Sequence, residues 1–280
     1  MITDQYYQDC IRQIYHYGDE LESRNYRCRS VFDLQPITFY HTPLVTLRKT
    51  AWKMALREME WFMSGDPKCP DELLPWWSEQ LADDGRYRRG YSEQFRHSSS
   101  DYQLSGFDQI EYILNGLRTN PNSRRLILTS WNPYEMARIT ALNQNEKTPT
   151  TCHSSFVQFF VRNRRLYMTS YQRSADILLG VPHNWIQSWA LFLYLARHAG
   201  LLTGTMRWIF GDAHCYLHPS HVATIEALLK CDPTLQLDNT FNLVYNKNTE
   251  AEGVPEFRAS DFVMDGTIPE PFVTTKPILC

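Results

Sequence analysis

Between Thr50 and Met63 the apolar residues Ala51, Ala55, Met59 and Phe62 recur every three to four positions, which predicts an amphipathic helix with Gly65 just past its end. The same kind of spacing predicts helices over Tyr6 to Leu21 and over Phe107 to Leu117, the second stopped by Asn120-Pro121. Asn184 to His198 is the most apolar helix, with Trp185, Trp189, Phe192 and Ala196 on one stripe and Gly200 beyond it. Runs rich in Val, Ile, Phe, Tyr and Thr predict strands over Arg125 to Ser130, Ser155 to Val161 and Leu166 to Tyr171, the last two flanking Asn163 as a hairpin. A short extended run from Thr38 to Tyr40 leads to Pro43. Pro67 to Ser100, rich in Asp, Arg, Ser and Trp, reads as loops around a binding surface. Helices and strands alternate irregularly, without internal repeat, linker, GxGxxG or GxxxxGK[ST]. The pattern is that of one α+β domain over residues 1–280, with a mixed or antiparallel sheet packed with helices, rather than a doubly wound nucleotide fold.

Composition narrows the function. The chain carries 28 Lys and Arg against 31 Asp and Glu, a formal charge of −3, which argues against a stable nucleic-acid partner or a polybasic membrane binder. Its longest apolar run, Trp189 to Ala196, is far short of the roughly 18 residues that a membrane span needs. The first ten residues are polar and show no apolar signal core. Seven scattered cysteines without a CxxC suit thiols in a reducing cytoplasm better than a disulfide framework.

Four segments concentrate chemistry. Cys152-His153 lies between a polar loop and an apolar strand, where a thiol can meet a ligand; a buried structural cysteine is the competing reading. Tyr171-Gln172-Arg173-Ser174-Ala175-Asp176, followed by Leu179-Gly180-Val181-Pro182-His183-Asn184, brings a guanidinium, a hydroxyl, a carboxylate and an amide together. An Arg fork and a Ser hydroxyl suit phosphate, and an amide pairs with an imide edge; a polar turn with a salt bridge is the alternative. Ser123-Arg124-Arg125 opens a predicted strand and offers two cations on opposite faces. His214, His218 and His221 invite a zinc reading, but Pro219 interrupts them and no HExxH is present, so Asp212 and Tyr216 place them as naturally in a hydrogen-bonded site.

Together these residues resemble the thymidylate synthase superfamily, from about Arg24 to the C-terminus. The resemblance is carried by Pro43-Leu44-Val45-Thr46, Glu58 three residues before Trp61-Phe62, Tyr91 with Gln94 to Arg96, Ser123-Arg124-Arg125, Thr151-Cys152-His153, the Tyr171 to Asn184 cluster, and Gly211-Asp212-Ala213-His214-Cys215-Tyr216. It implies that the Cys152 thiolate adds to C6 of a pyrimidine nucleotide, so that C5 attacks the methylene of 5,10-methylenetetrahydrofolate. The resemblance gives catalytic roles to Cys152, Glu58, Tyr91, His153 and Asn184. It puts the phosphate among Arg24, Arg173, Ser174 and, from a partner subunit of a homodimer, Arg124 and Arg125. Gln172 belongs to the same nucleotide site, His214 and Tyr216 hold the ribose, and Asp176 contacts both nucleotide and folate. Trp77, Gln80, Leu179, Gly180 and His183 line the folate side. Asn184, rather than Asp, implies dUMP as substrate.

Departures from the family pattern bear on the product. Arg24-Asn25-Tyr26-Arg27 replaces an Arg-Thr-Gly-Thr loop, so either Arg24 or Arg27 can meet the phosphate, and Arg48 stands where the family has Lys. The second folate-side tryptophan is Gln80, and the Phe before the base-reading Asn is His183. Glu58-Met59-Glu60-Trp61 resembles the Glu-x-Glu-Trp of phage deoxycytidylate hydroxymethylases. Polar groups at Gln80 and His183 would admit water where a synthase keeps an apolar wall for hydride transfer, favouring a deoxyuridylate hydroxymethylase over a methylating synthase. Residues two apart on a helix point to nearly opposite sides, so Glu58 and Glu60 are not expected to share the site.

Overall fold

The computed structural model describes residues 2–23, 26–32, 34–98, 106–134, 151–236, 241–248 and 253–274. Helix α1 (Ile2–Tyr17) buries Tyr7, Cys10, Ile11 and Ile14, a stripe at three- and four-residue spacing. It ends four residues earlier than its apolar pattern predicts. A Cβ at Gly18 would lie 2.5 Å from the Ile14 carbonyl oxygen and about 3 Å from the Ser30 backbone, so a glycine lets the chain turn there into strand β1 (Asp19–Leu21) against β2 (Cys28–Phe32). Strand β3 (Ile37–Phe39) follows. Helix α2 (Trp52–Ser64) buries Ala55, Leu56, Met59 and Phe62, and stops at Gly65 in the left-handed region. The segment expected to be loops holds the short helices α3 (Leu74–Trp77) and α4 (Tyr91–His97). Helix α5 (Gln109–Thr119) is capped by Asp108, whose carboxylate accepts from the Glu111 amide.

Strand β4 (Ile127–Leu128), β5 (Phe156–Arg162) and β6 (Arg165–Asp176) form a meander, with Asn163 and Arg164 both at positive φ in the tight turn between β5 and β6. Helix α6 (Gly180–His198) is buried almost all round and crosses from β6 to its parallel neighbour β7 (Leu202–Tyr216). Helix α7 (Pro219–Lys230) and a separate hairpin of β8 (Phe241–Tyr245) and β9 (Phe262–Gly266) complete the described elements.

Among the described residues the main sheet has the order β1-β2-β7-β6-β5-β4, with β3 also pairing to β7. Only β6 and β7 run parallel; the other pairs are antiparallel, so this is a mixed sheet in an α+β single domain. The core lies between the sheet and helices α1, α2 and α6, where Trp185, Trp208, Phe62 and Phe210 are fully enclosed. No helix among the described residues is long and apolar enough to cross a membrane.

Candidate active site

A cleft of about 920 Å³ opens at the C-terminal ends of β6 and β7. Along β6, Gln172, Ser174 and Asp176 share the face of Leu166, Met168 and Ser170, because strand side chains alternate. The helix layer covers that face over most of the strand, and at its end the polar trio lines the cleft instead. The register sets Ser174 beside Asp212 and Asp176 beside His214 on β7, while Ser30 of β2 pairs with His214 from the other side. The Ser30 hydroxyl and the His214 ring, 3.0 Å away at Nδ1, both bind the Asp212 carboxylate and hold it below the usual carboxylate range, His214 having the larger effect.

Cys152 is half-buried on the cleft wall. The Arg173 guanidinium Nη2 lies 3.8 Å from its Sγ, while Arg173 Nε donates to the Thr151 carbonyl at 3.1 Å and the Arg173 amide donates to the Cys152 carbonyl at 3.1 Å. The guanidinium also lies 5.1 Å from the centre of the Trp131 ring. After His153 the chain turns through Ser154 at φ 51°, a conformation that a non-glycine residue adopts at a cost of about 1 kcal/mol or more. Ser130 holds the turn: its amide and hydroxyl both donate to the Ser154 carbonyl, at 2.9 and 3.0 Å. The Tyr91 hydroxyl accepts from the amides of Cys152 at 2.7 Å and His153 at 3.3 Å. A Cβ at Gly211 would meet the Tyr171 hydroxyl at 2.6 Å and the Arg173 carbonyl at 2.7 Å, so glycine is required where β7 passes behind Arg173.

Glu58, on α2, faces Cys152's wall from the helix side. Its two oxygens accept from the Trp77 indole and from the Gln187 amide of α6, and burial outweighs both bonds to push its carboxyl up to about 7. Asn184 lines the same cleft one helical turn before Gln187, and its side-chain amide is uncommitted among the described residues. Tyr216, Trp77, Gln80, Leu179, Gly180 and His183 also line it. Asp176 turns one oxygen to the amides of Leu178 and Leu179, at 3.0 and 3.1 Å.

Other expected site residues lie elsewhere. His153 is buried behind the cleft wall, stacked on Tyr91 at 4.5 Å, and burial lowers its pKa to about 3, so it is a neutral ring. Arg124 and Arg125 are exposed beside β4, outside this cleft. Arg24 falls outside the described residues, and Arg27 pairs with Glu20 at 3.0 Å. Glu60 points away from the cleft, accepting from Arg57 at 2.9 Å and from the Ala259 amide at 3.0 Å. The C-terminal Pro277 to Cys280 also falls outside the described residues.

One expectation needs correction, and a reading already disfavoured by Pro219 gains no support. His183 does not offer a ring nitrogen to water: Nδ1 lies 2.8 Å from the Leu179 carbonyl and Nε2 accepts from the Ala51 amide at 3.2 Å, which fixes one neutral tautomer. Burial and the nearby Arg48 lower its pKa to about 4. The three downstream histidines do not share a helix face either. His214 is on β7, and His218 caps α7 by accepting from the Ser220 amide. Among the described residues no group of three or more His, Cys, Asp and Glu is arranged to hold a metal ion.

Sequence reasoning missed Trp76, which lines the cleft and packs at 4.9 Å on His183, and Gln187. The available signals were the Trp76-Trp77 doublet and a glutamine three residues after Asn184 inside the most apolar helix. In comparison with known families, the thymidylate synthase model matches residues 5–278.

Proposed function

Because the chain belongs to the thymidylate synthase family, and so is a folate-dependent transferase acting at C5 of dUMP, we propose that it is a deoxyuridylate hydroxymethylase, forming 5-hydroxymethyl-dUMP. The whole chain, 1–280, acts as one catalytic domain in this reading, in a reducing cytoplasm that keeps Cys152 a thiol; no disulfide joins the six described cysteines to one another. Cys152 adds to C6 of the pyrimidine, next to the Arg173 guanidinium that favours a sulfur anion. Arg173 and Ser174 receive the phosphate, His214, fixed by Asp212, and Tyr216 receive the ribose, and the uncommitted Asn184 amide reads O4 and N3–H of uracil. Glu58 takes and returns protons through water, for which a carboxyl near neutrality is suited.

The residues fit a folate. The flat indoles of Trp76 and Trp77 stand on one wall, and the buried Arg48 Nε, which has no partner among the described residues, faces the same cleft. When bound, 5,10-methylenetetrahydrofolate supplies the one-carbon unit. Asp176, Leu179, Gly180, Trp77 and Gln80 would hold it.

A single observation carries the hydroxymethyl reading: Gln80, exposed, lines the same cleft as Glu58, whose carboxyl burial pushes up to about 7, and its side-chain amide can hold water. Trp76 favours the second reading, a thymidylate synthase, since it keeps an aromatic surface on that wall. Mass spectrometry of the nucleotide formed from dUMP and methylenetetrahydrofolate, with spectrophotometry for dihydrofolate, separates them. We expect a gain of CH2O without dihydrofolate; a gain of CH2 with dihydrofolate would make the protein a synthase.

The proposal includes a homodimer. The sheet face away from the helices carries Phe160, Tyr167, Tyr171 and Ile209, all half-exposed, which supports pairing with a second copy. The exposed Arg124 and Arg125 of each copy then serve the partner's phosphate.

A further inference from the structure

Gln187 lies in the middle of an apolar helix, wholly enclosed, and spends its amide nitrogen on Glu58 Oε2 while its own Oε1 has no partner among the described residues. A buried polar side chain with one end unpaired is destabilising, so its presence in an apolar helix calls for a reason. The carboxyl it binds is the group that the proposed reaction requires in both protonation states. A carboxylate needs two donors. A carboxylic acid needs an acceptor for its new O–H, and the Trp77 indole, which holds the other oxygen, is a donor only.

An amide resolves this. Its two ends are nearly the same size, and half a turn about its last bond exchanges donor for acceptor without moving the carboxyl. The far end of Gln187 is unpaired, so the rotation breaks no bond there. We propose that Gln187 is a positioning residue that follows the proton on Glu58: its NH2 donates to the carboxylate, and its carbonyl oxygen, after rotation, accepts from the carboxylic acid. The amide itself gains and loses no proton. Glu58 thereby keeps one place and one orientation through the proton transfers of the cycle. This inference rests on the role given to Glu58 above.

Burial and the two hydrogen bonds are what act on Glu58. The titratable groups packed near it are the Cys69 thiol, which burial and then the Glu58 charge push up to about 11, and Tyr91; Cys152, Arg48 and His183 line the same cleft. His183 is neutral above about pH 4 and Cys69 keeps its proton, so neither mimics a titration near neutrality.

The test needs no turnover. In the full-length protein with 13C-labelled glutamate and 15N-labelled glutamine side chains, pH is varied from 5 to 9, with Glu58→Gln and Gln187→Met assigning the two signals. We expect the Gln187 amide resonances to move with the same midpoint as the Glu58 carboxyl, and Gln187→Met, which removes a partner from both protonation states, to change Glu58's proton affinity by less than tenfold. A Gln187 amide that stays unchanged while Glu58 titrates, or a Glu58 with no midpoint in that range, overturns the proposal. So does a proton affinity raised tenfold or more in Gln187→Met, the sign of a partner that serves the carboxylate alone. Should Gln187→Met fail to fold, co-titration in the unaltered protein decides alone. Because the readout is equilibrium titration, an inactive protein with co-titrating groups would overturn the proposed function and leave the coupling intact.

Discussion

Cys152 and Glu58 face one cleft from two walls built on different electrostatic terms. On the strand wall, Arg173, Asp176, Asp212 and His214 are part-exposed or paired, and the Asp212 carboxyl, bonded by His214 and Ser30, is held below its usual range, so it keeps its charge. On the helix wall, Glu58, Tyr91 and His183 are enclosed by Phe62, Trp76 and Trp77, and every resolved shift favours the uncharged form. Desolvation penalises charge where no counter-charge sits, while a paired group keeps its charge at small cost. Fixed charge on one side suits binding an anion and a sulfur nucleophile; a proton that moves near neutrality suits the other.

The strongest way to break this division is at the nucleophile. Cys152→Ser keeps the size and the Arg173 environment but supplies a hydroxyl too weakly acidic to attack. We expect product formation to fall by about 10⁴-fold or more, with binding of dUMP retained. Covalent adduct detected by denaturing mass spectrometry in the serine variant, or turnover within tenfold of the unaltered protein, would remove Cys152 from the chemistry.

The second test separates function from stability on the helix wall. Glu58→Gln should lower turnover by about a hundredfold or more, the scale of general acid–base catalysis. Its effect on stability has the opposite sign. Folding raises the Glu58 pKa from 4.5 to about 7, so between those values the folded chain holds more protons than the unfolded one. Stability is therefore lost as pH rises from about 4.5 to 7, by roughly 3 kcal/mol once the loss is complete. The amide of the Glu58→Gln variant carries no such penalty, so the inactive variant is expected to be the more stable one at pH 8 and nearly equal at pH 5. Denaturant midpoints at the two pH values check this, and a variant less stable at pH 8 would show Glu58 to be ionised without penalty.

The same contrast explains which parts of the molecule were legible in the sequence. Helices α2 and α6 and the β5–β6 hairpin announce themselves because their apolar residues keep a helical or strand period. Strand β7 does not. Gly204 and Gly211 interrupt its alternation, and at its end Asp212, His214 and Tyr216 are polar where they line the cleft, with Ala213 and Cys215 buried between them. For that reason too, Gln172 to Asp176 look like a polar turn and are the end of β6. Helix α4 was hidden because it buries Ser92 and Gln94 beside Tyr91 and Phe95. Cys152 and Asn184 were singled out through the family resemblance, and both line the cleft. Gln187 was not, since its role comes from a contact 129 positions away in the chain.

The smallest expected effect sharpens the comparison most narrowly. His183 looks, in sequence, like a polar intrusion on the folate side, but both its ring nitrogens are bonded to backbone, joining Leu179 to the start of α2. His183→Phe removes those bonds and leaves the Ala51 amide without its acceptor, a cost of about 1–2 kcal/mol at pH 8. Folding lowers the His183 pKa from 6.5 to about 4, so the unaltered protein loses stability as pH falls through that interval, because the unfolded chain binds a proton there that the folded one refuses. Phenylalanine has no such loss, and the deficit of the variant should shrink from pH 8 to pH 4.5. The ratio of hydroxymethyl to methyl product should not change, since the ring presents no free nitrogen to water. A product ratio that shifts toward dTMP in His183→Phe would put His183 back among the groups that handle water, and would mean that the backbone bonds seen here open during the reaction.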